Sequence, residues 1–223
     1  MRDRVALVSG GSRGIGCDTA DLSLTGDVRN EGEVAEAVGR VREELGPVSI
    51  LVNSAGVSVE GLIPSISLEC WNYVLAVNLT GAFLLMRAVL PDMLAAGWGR
   101  VVNISSVLGK TGAVYQGAYA ASKHGLLGLT RASALEVADK GVTVNAVCPG
   151  VVDTDMTVEV SERLARLADT RVETVRRIAI AANPQRRLHL PAEVAAIVRF
   201  LCSEEAAGVN GQALNHCGGR NFA

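Results

Sequence analysis

Tyr119 and Lys123 stand four apart in Ala118-Tyr119-Ala120-Ala121-Ser122-Lys123-His124-Gly125, a run dominated by good helix formers. Side chains four apart in a helix lie one above the other on one face, so phenol and ammonium point the same way. An ordinary phenol, with a pKa near ~10, is too weak an acid to work well at neutral pH. A nearby positive charge stabilises the phenolate, and a downward pKa shift at Tyr119 is the expectation. Ser106, in Asn103-Ile104-Ser105-Ser106, follows an apolar run and offers a hydroxyl to the same chemistry. An isolated Tyr-x-x-x-Lys is more often a core tyrosine beside a solvated lysine, so the surrounding chain has to decide.

A second chemical element opens the chain. Val5-Ala6-Leu7-Val8 has strand length and runs straight into Ser9-Gly10-Gly11-Ser12-Arg13-Gly14-Ile15-Gly16. A strand entering a glycine-rich turn is a nucleotide-site signature. Glycines 10, 14 and 16 remove the Cβ atoms that would hold backbone N–H groups away from a pyrophosphate, and a helix starting there aims its positive end at the anion. The spacing is Gly-x-x-x-Gly-x-Gly, and a plain tight turn is the bland alternative.

The elements that must position these groups follow from an alternation of short apolar runs with helical patterns. Strands are expected near 5–9, 49–52, 100–104, 143–147 and 212–215, and helices near 31–45, 68–96, 117–139, 159–182 and 192–203. This predicts an α/β chain, a Rossmann-like doubly wound parallel sheet in a single domain over residues 1–223. In such sheets ligands bind outside the carboxyl ends of the strands. Gly10, Asn53, Ser106 and Pro149 each follow a predicted strand, so they should meet at one edge. One departure stands out: ten residues separate Gly16 from Asp27, whereas a first β-α-β unit needs roughly 30 or more. The first helix and second strand are apparently missing.

Composition narrows the class. The 223 residues are 49% hydrophobic and 20% charged, which suits one soluble domain with a sizeable core. A net charge of −2 argues against a nucleic-acid partner. No apolar run reaches the ~18 residues of a membrane span and no secretory pattern opens the chain, which predicts a cytoplasmic protein without membrane contact. Five scattered cysteines read as buried free thiols, and histidines 124, 189 and 216, far apart in sequence, suggest no metal site.

The glycine turn, Asn53-Ser54-Ala55-Gly56, Asn78, Ser106, Tyr119, Lys123 and Pro149-Gly150 together resemble the motif series of the short-chain dehydrogenase/reductase family, in the family's order. Ser106 lies 13 and Asn78 41 positions before Tyr119, a spacing similar to bacterial 3-oxoacyl-[acyl carrier protein] reductases. Lys110-Thr111-Gly112, Val144-Asn145-Ala146-Val147-Cys148-Pro149-Gly150 and the ending Ala213-Leu214-Asn215-His216-Cys217-Gly218-Gly219 resemble aromatic polyketide ketoreductases.

The resemblance implies NAD(P)H-dependent reduction of a ketone to a secondary alcohol, on a 3-oxoacyl or polyketide thioester. It makes Tyr119 the general acid, Ser106 the hydrogen-bond partner of the carbonyl oxygen, and Lys123 both a ribose ligand and the group that lowers the Tyr119 pKa. Asn78 would sit at a distortion in a long helix and hold a water leading to Lys123. Cofactor contacts would come from Gly10, Ser12, Arg13, Gly14, Ile15, Gly16, Asp27, Val28, Asn53, Ala55, Gly56, Pro149, Gly150, Val152 and Thr154, besides Tyr119 and Lys123. Asp27-Val28 resembles the family's adenine-contacting pair at the end of its third strand, and Ser54 replaces a second Asn. Arg13 favours NADP over NAD.

Residues 157–191 should cover the substrate, with arginines that serve as helix-face ion pairs or meet a phosphopantetheine phosphate or an acidic carrier protein. A homotetramer is expected, built through the helices near 68–96 and 117–139 with Leu126, Leu127, Leu129 and Ala134, and through the C-terminal end. Family length implies that around 30 residues are left out of the sequence as written rather than lost. Two alternatives remain at this level: an NAD-dependent alcohol or diol dehydrogenase of the same family, and a non-catalytic nucleotide-binding relative. The intact Ser106, Tyr119 and Lys123 count against the second.

Overall fold

The computed structural model describes residues 4–11 and 21–222. The strands are β1 (Val5–Ser9), β2 (Val48–Asn53), β3 (Gly99–Ile104), β4 (Val142–Pro149) and β5 (Ala213–His216), the first four rich in Val and Ile. They make one sheet in that order, with every neighbouring pair parallel. Parallel strands need crossovers, and these are α1 (Glu31–Glu44), α2 (Leu68–Leu75), α3 (Gly81–Ala96), α4 (Gly117–Glu136), α5 (Asp155–Leu167), α6 (Val172–Ala181) and α7 (Pro191–Leu201).

Side chains alternate between two layers, as the period of a strand requires. Leu51, Val101 and Val144 pack with Val38 of α1 and Val89 and Met93 of α3. Val52, Val102 and Ile104 pack with Val194 and Leu201 of α7. Full burial of each such side chain stabilises by roughly 1.5–3 kcal/mol, which is why strands sandwiched between helices read as unbroken apolar runs. Local signals set the helix ends. Asn30 Oδ1 accepts from the backbone N–H of Gly32 at 2.9 Å at the start of α1, and Gly97, at φ 63°, stops α3.

Three expectations change. The helix expected over 159–182 is two helices, α5 and α6, with an interruption over 168–171. No strand ends at Asp27: Leu22, Leu24 and Val28 pack against the first layer, but residues 22–28 pair with nothing in the sheet. Among the described residues nothing pairs with the outer side of β1, and the described strands show no reversal of order at the first strand, as a complete doubly wound fold has. Ten residues separate Gly16 from Asp27 in the 223-residue sequence. Leu126, Leu127 and Ala134, expected to offer apolar surface to a second copy, are 1–2% exposed and spent within the chain.

One apolar stretch was underestimated. Residues Leu68–Ala96, with a mean hydropathy of 1.7 in an 18-residue window, are long and apolar enough to cross a membrane by length and composition alone. Leu84, Leu85, Met86, Val89 and Met93 within it are buried in the protein core. It is not one regular helix: Ala76–Thr80 forms a π-helical turn between α2 and α3, and Asn78 lies in it.

A chain of amides crosses the core. Asn53 Nδ2 donates to Asn103 Oδ1 at 2.8 Å, Asn103 Nδ2 donates to Thr130 Oγ1 at 2.9 Å, and Thr130 Oγ1 donates to the Leu126 carbonyl at 2.7 Å. It ties β2 and β3 to α4, the helix that carries Tyr119 and Lys123. Asn103 is fully buried, so Asn103→Ala strands partners on both sides and should cost about 1–3 kcal/mol in urea unfolding. A change within error would show that the relay adds nothing to stability.

Candidate active site

The carboxyl ends of β1 to β4 open into a cleft of about 1020 Å³. Gly10, Asp27, Gly56, Ser106, Tyr119, Lys123, Pro149 and Thr154 all line it, as the strand-edge argument requires. Ser12, Arg13, Gly14, Ile15 and Gly16 lie outside the described residues.

Lys123 sets the electrostatics. It is 5% exposed, and Nζ donates to the Ile104 carbonyl at 2.8 Å. An ammonium has three hydrogens, so two are left toward the cleft. No carboxylate pairs with it among the described residues. Burial pushes its pKa down to about 8. Tyr119 shares the helix face as predicted, its ring centroid 5.6 Å from Nζ.

The expected downward shift at Tyr119 is not found. Burial raises the phenol to about 12, and Glu60 and Cys148 add to the rise, while a hydrogen bond with Ser106 opposes it. Burial leads that balance, since a phenolate in this half-buried position would lose its hydration, and Lys123 is not among the groups that move it. The proton is thereby held on Tyr119 at neutral pH. Ser106 is nine-tenths buried, and its Oγ also accepts from the Leu108 N–H at 3.1 Å.

Asn78 occupies the expected helix distortion, and its side chain is committed. Oδ1 accepts from Val57 N–H at 2.8 Å, while Nδ2 donates to the Val57 carbonyl at 2.9 Å and to Ser122 Oγ at 3.0 Å. It therefore fastens the turn after β2 to α4. Gly56 fits between, since a Cβ there would lie 3.5 Å from Asn78 Oδ1 and 3.6 Å from Lys123 Nζ.

Several cofactor-side residues hold the frame instead of facing the cleft with their side chains. The Asn53 amide belongs to the interior relay. Asp27 stands on the cleft wall, but Arg29 donates to both of its carboxylate oxygens and holds its pKa down. Val28 packs against Gly81, where a Cβ would come within 2.8 Å of it. Val152 is buried and bridges to His189, and Thr154 precedes α5, whose N-terminus adjoins the cleft.

Ser9 and Glu60 were missed. Ser9 Oγ accepts from the N–H groups of Ser54 and Ala55 at 3.2 and 3.3 Å and so shapes the turn opposite Gly10; its place at the strand end was the available signal. Glu60 has a fully buried carboxylate that accepts from Ser58 Oγ and from Arg163 Nε. This pins α5 to the turn after β2 and answers the question of the covering arginines for Arg163. Nothing in the sequence distinguishes Glu60 from a solvated loop acid.

A family model described as enoyl-(acyl carrier protein) reductase matches residues 10–221. The chain belongs to the short-chain dehydrogenase/reductase family. Acetoacetyl-CoA reductase of Rhizobium meliloti is 37% identical over 249 residues, covering 99% of each chain. The 3-oxoacyl-[acyl-carrier-protein] reductase of Vibrio cholerae is 35% identical over 249 residues, covering 98% of each. Those alignments are at least 26 positions longer than this 223-residue chain, in keeping with its short first unit. A crystal structure of an actinorhodin polyketide ketoreductase variant with NADPH superposes with a TM-score of 0.93 at 37% identity, covering 99% of this chain and 98% of that one.

The family implies a nicotinamide dinucleotide, and the cleft can be tested for it. Gly10, at φ 70°, lets its backbone approach the Ala55 N–H so closely that a Cβ would lie 2.7 Å away. Lys123 keeps two donors for hydroxyls, and the N-terminus of α5 offers backbone N–H groups to phosphate. These residues fit the nicotinamide end. At the adenosine end the fit is poorer, because Asp27 is engaged by Arg29 and the described residues include no second strand to read the ribose.

A lysine whose pKa is lower in the folded protein costs stability wherever it must stay charged. That cost is complete below about pH 8 and fades as pH rises from there to the ordinary lysine value. Lys123→Met should therefore be more stable than the parent at pH 7 by about 1–3 kcal/mol, with the gap closing at alkaline pH. Thermal melts across pH check this; a variant less stable at every pH would contradict the burial cost. Gly10→Ala should lose about 2 kcal/mol or more from its left-handed backbone and the clash with Ala55, together with NADPH affinity measured by calorimetry.

Proposed function

We propose that the chain is a ketone reductase that uses NADPH to convert a 3-oxoacyl or polyketide thioester into the secondary alcohol. The observation that carries this is one cleft holding a protonated phenol, a serine hydroxyl bonded to it and a buried ammonium without a carboxylate partner. The named relatives, which reduce acyl-CoA, acyl-carrier and polyketide ketones by their titles, support the substrate class.

When bound, the reduced nicotinamide supplies the hydride. Tyr119 gives its proton to the carbonyl oxygen, and Ser106 donates a hydrogen bond to that oxygen as negative charge develops. Lys123 holds the ribose hydroxyls and, with its pKa near 8, gives up and regains a proton readily enough to reload Tyr119. Asn78 acts as a positioning residue through Val57 and Ser122. Leu108, Met156, Val160, Leu164 and Ile178 give the rest of the cleft an apolar wall for an acyl chain.

Finer points belong to the same proposal. Arg13 in the glycine turn and the NADPH in the related structure favour NADP over NAD. Exposed Arg166, Arg171 and Arg177 on and beside the covering helices suit a phosphopantetheine phosphate or an acidic carrier. Exposed Phe83 on α3 and Leu135 on α4 provide apolar surface for a homotetramer acting in the cytoplasm.

The test is NADPH oxidation with acetoacetyl-CoA, its acyl-carrier counterpart and a simple cyclic ketone, with NADH in parallel. Tyr119→Phe should lower kcat by ~10²–10⁴-fold while NADPH still binds, and Lys123→Ala should lose both turnover and cofactor affinity. Most of the turnover surviving in Tyr119→Phe would overturn the assignment. Preference for NADH with an alcohol substrate would favour the dehydrogenase reading, and NADPH binding without turnover of any ketone the non-catalytic one.

A further inference from the structure

Behind the loop that follows β4 lies a second cavity, of about 600 Å³, lined in part by His189, Glu193 and His216. The first two belong to the entry and first turn of α7, and His216 ends β5, so sequence distance conceals their meeting. The two imidazole rings have centroids 4.5 Å apart, tilted by 55°. One ligand-type atom from each of the three residues lies within 4.8 Å of the other two. His189 is 1% exposed, and its Nδ1 has no hydrogen-bond partner among the described residues, although the Cys217 backbone lies close by. The buried Nε2 of His216 has none either. Unpaired buried imidazole nitrogens are costly, and two in adjacent rings call for a shared ligand.

We propose that His189, His216 and Glu193 form a binding site for a divalent transition metal of the Zn²⁺ class, with its remaining position open to the cavity. Two imidazoles and a carboxylate are a donor set such ions take, in tetrahedral geometry with one open position. Burial and the neighbouring His216 keep His189 below the ordinary histidine range, and Arg187 holds the Glu193 carboxyl down to about 2.

The existing partners leave room. Glu193 Oε2 accepts from Arg187 and the Leu190 N–H, but Oε1 accepts only from Arg187, at 2.7 Å, and keeps a lone pair. The Arg187 charge opposes a cation, and its partial exposure lets solvent screen it. His189 Nε2 gives up at most one 3.2 Å contact with Asn183, whose amide retains a 2.6 Å bond to the Arg187 carbonyl.

The site would clamp the cofactor loop. Gly150 N–H donates to the His216 carbonyl at 2.8 Å, His189 N–H donates to the Val151 carbonyl at 3.0 Å, and Asp153 N–H donates to the His189 carbonyl at 2.8 Å. A metal joining the two rings would therefore fasten β5, α7 and the Pro149-Gly150 turn together.

The full chain, treated with chelator and dialysed, is titrated with Zn²⁺ by calorimetry and with Co²⁺ by visible absorption. One ion per chain, an intense tetrahedral Co²⁺ spectrum and a raised thermal midpoint are expected. His216→Asn should weaken binding by more than ~100-fold, while His124→Asn, at an exposed position on α4, should leave it unchanged. No binding at millimolar Zn²⁺, or equal binding by a folded His216→Asn variant, would overturn the proposal. Should that variant fail to fold, the parent still decides, because a pale octahedral Co²⁺ spectrum overturns it too.

Discussion

An ammonium buried without a carboxylate partner among the described residues is the constraint on which the site depends. Lys123 has lost nearly all its hydration, and one backbone carbonyl, that of Ile104, compensates for part of it. A group in this state is expensive for the folded protein and useful to a ligand rich in hydroxyls or negative charge. The same dryness raises Tyr119 and lowers Lys123, bringing the lysine toward neutral pH and holding the phenol protonated. Acid and cation are set by one cause, desolvation, and not by their mutual attraction.

Polar groups in the interior make that placement rigid. The Asn53–Asn103–Thr130 relay joins the sheet to the helix bearing Tyr119 and Lys123, and Asn78 joins that helix to the turn after β2 through Val57 and Ser122. Glu60 and Arg163 then fix α5 over the same turn. Hydrogen-bonded networks of this kind favour one arrangement because a slip leaves further buried polar atoms unpaired, as Asn53 Oδ1 already is among the described residues. Both walls of the cleft are thus registered against the reacting groups.

The short first unit has a different effect. Among the described residues no strand lies beyond β1, and Ala6 and Val8 of that strand are exposed. The segment with Leu22, Leu24 and Val28 covers part of the first layer without contributing backbone pairing. At the far wall of the cleft Asp27 is turned to Arg29.

Much was legible from order and spacing alone. Five apolar runs alternating with helical patterns specified a parallel sheet, and Ser106, Tyr119 and Lys123 in the family's order specified the family, because strand-length runs and helical spacing are local properties. Even the distortion at Asn78 was readable through its motif. What only the tertiary structure decided depends on burial and on contacts between distant segments. These include the direction of the Tyr119 shift, the commitment of the Asn53 and Asn78 amides to the frame, and the pairing of Glu60 with Arg163. They also include the meeting of His189 with His216 and the burial of Leu126 and Leu127 within their own chain. Each is set by which atoms are excluded from water and by which partner reaches them first. A linear order of residues carries neither quantity until the sheet has brought the segments together.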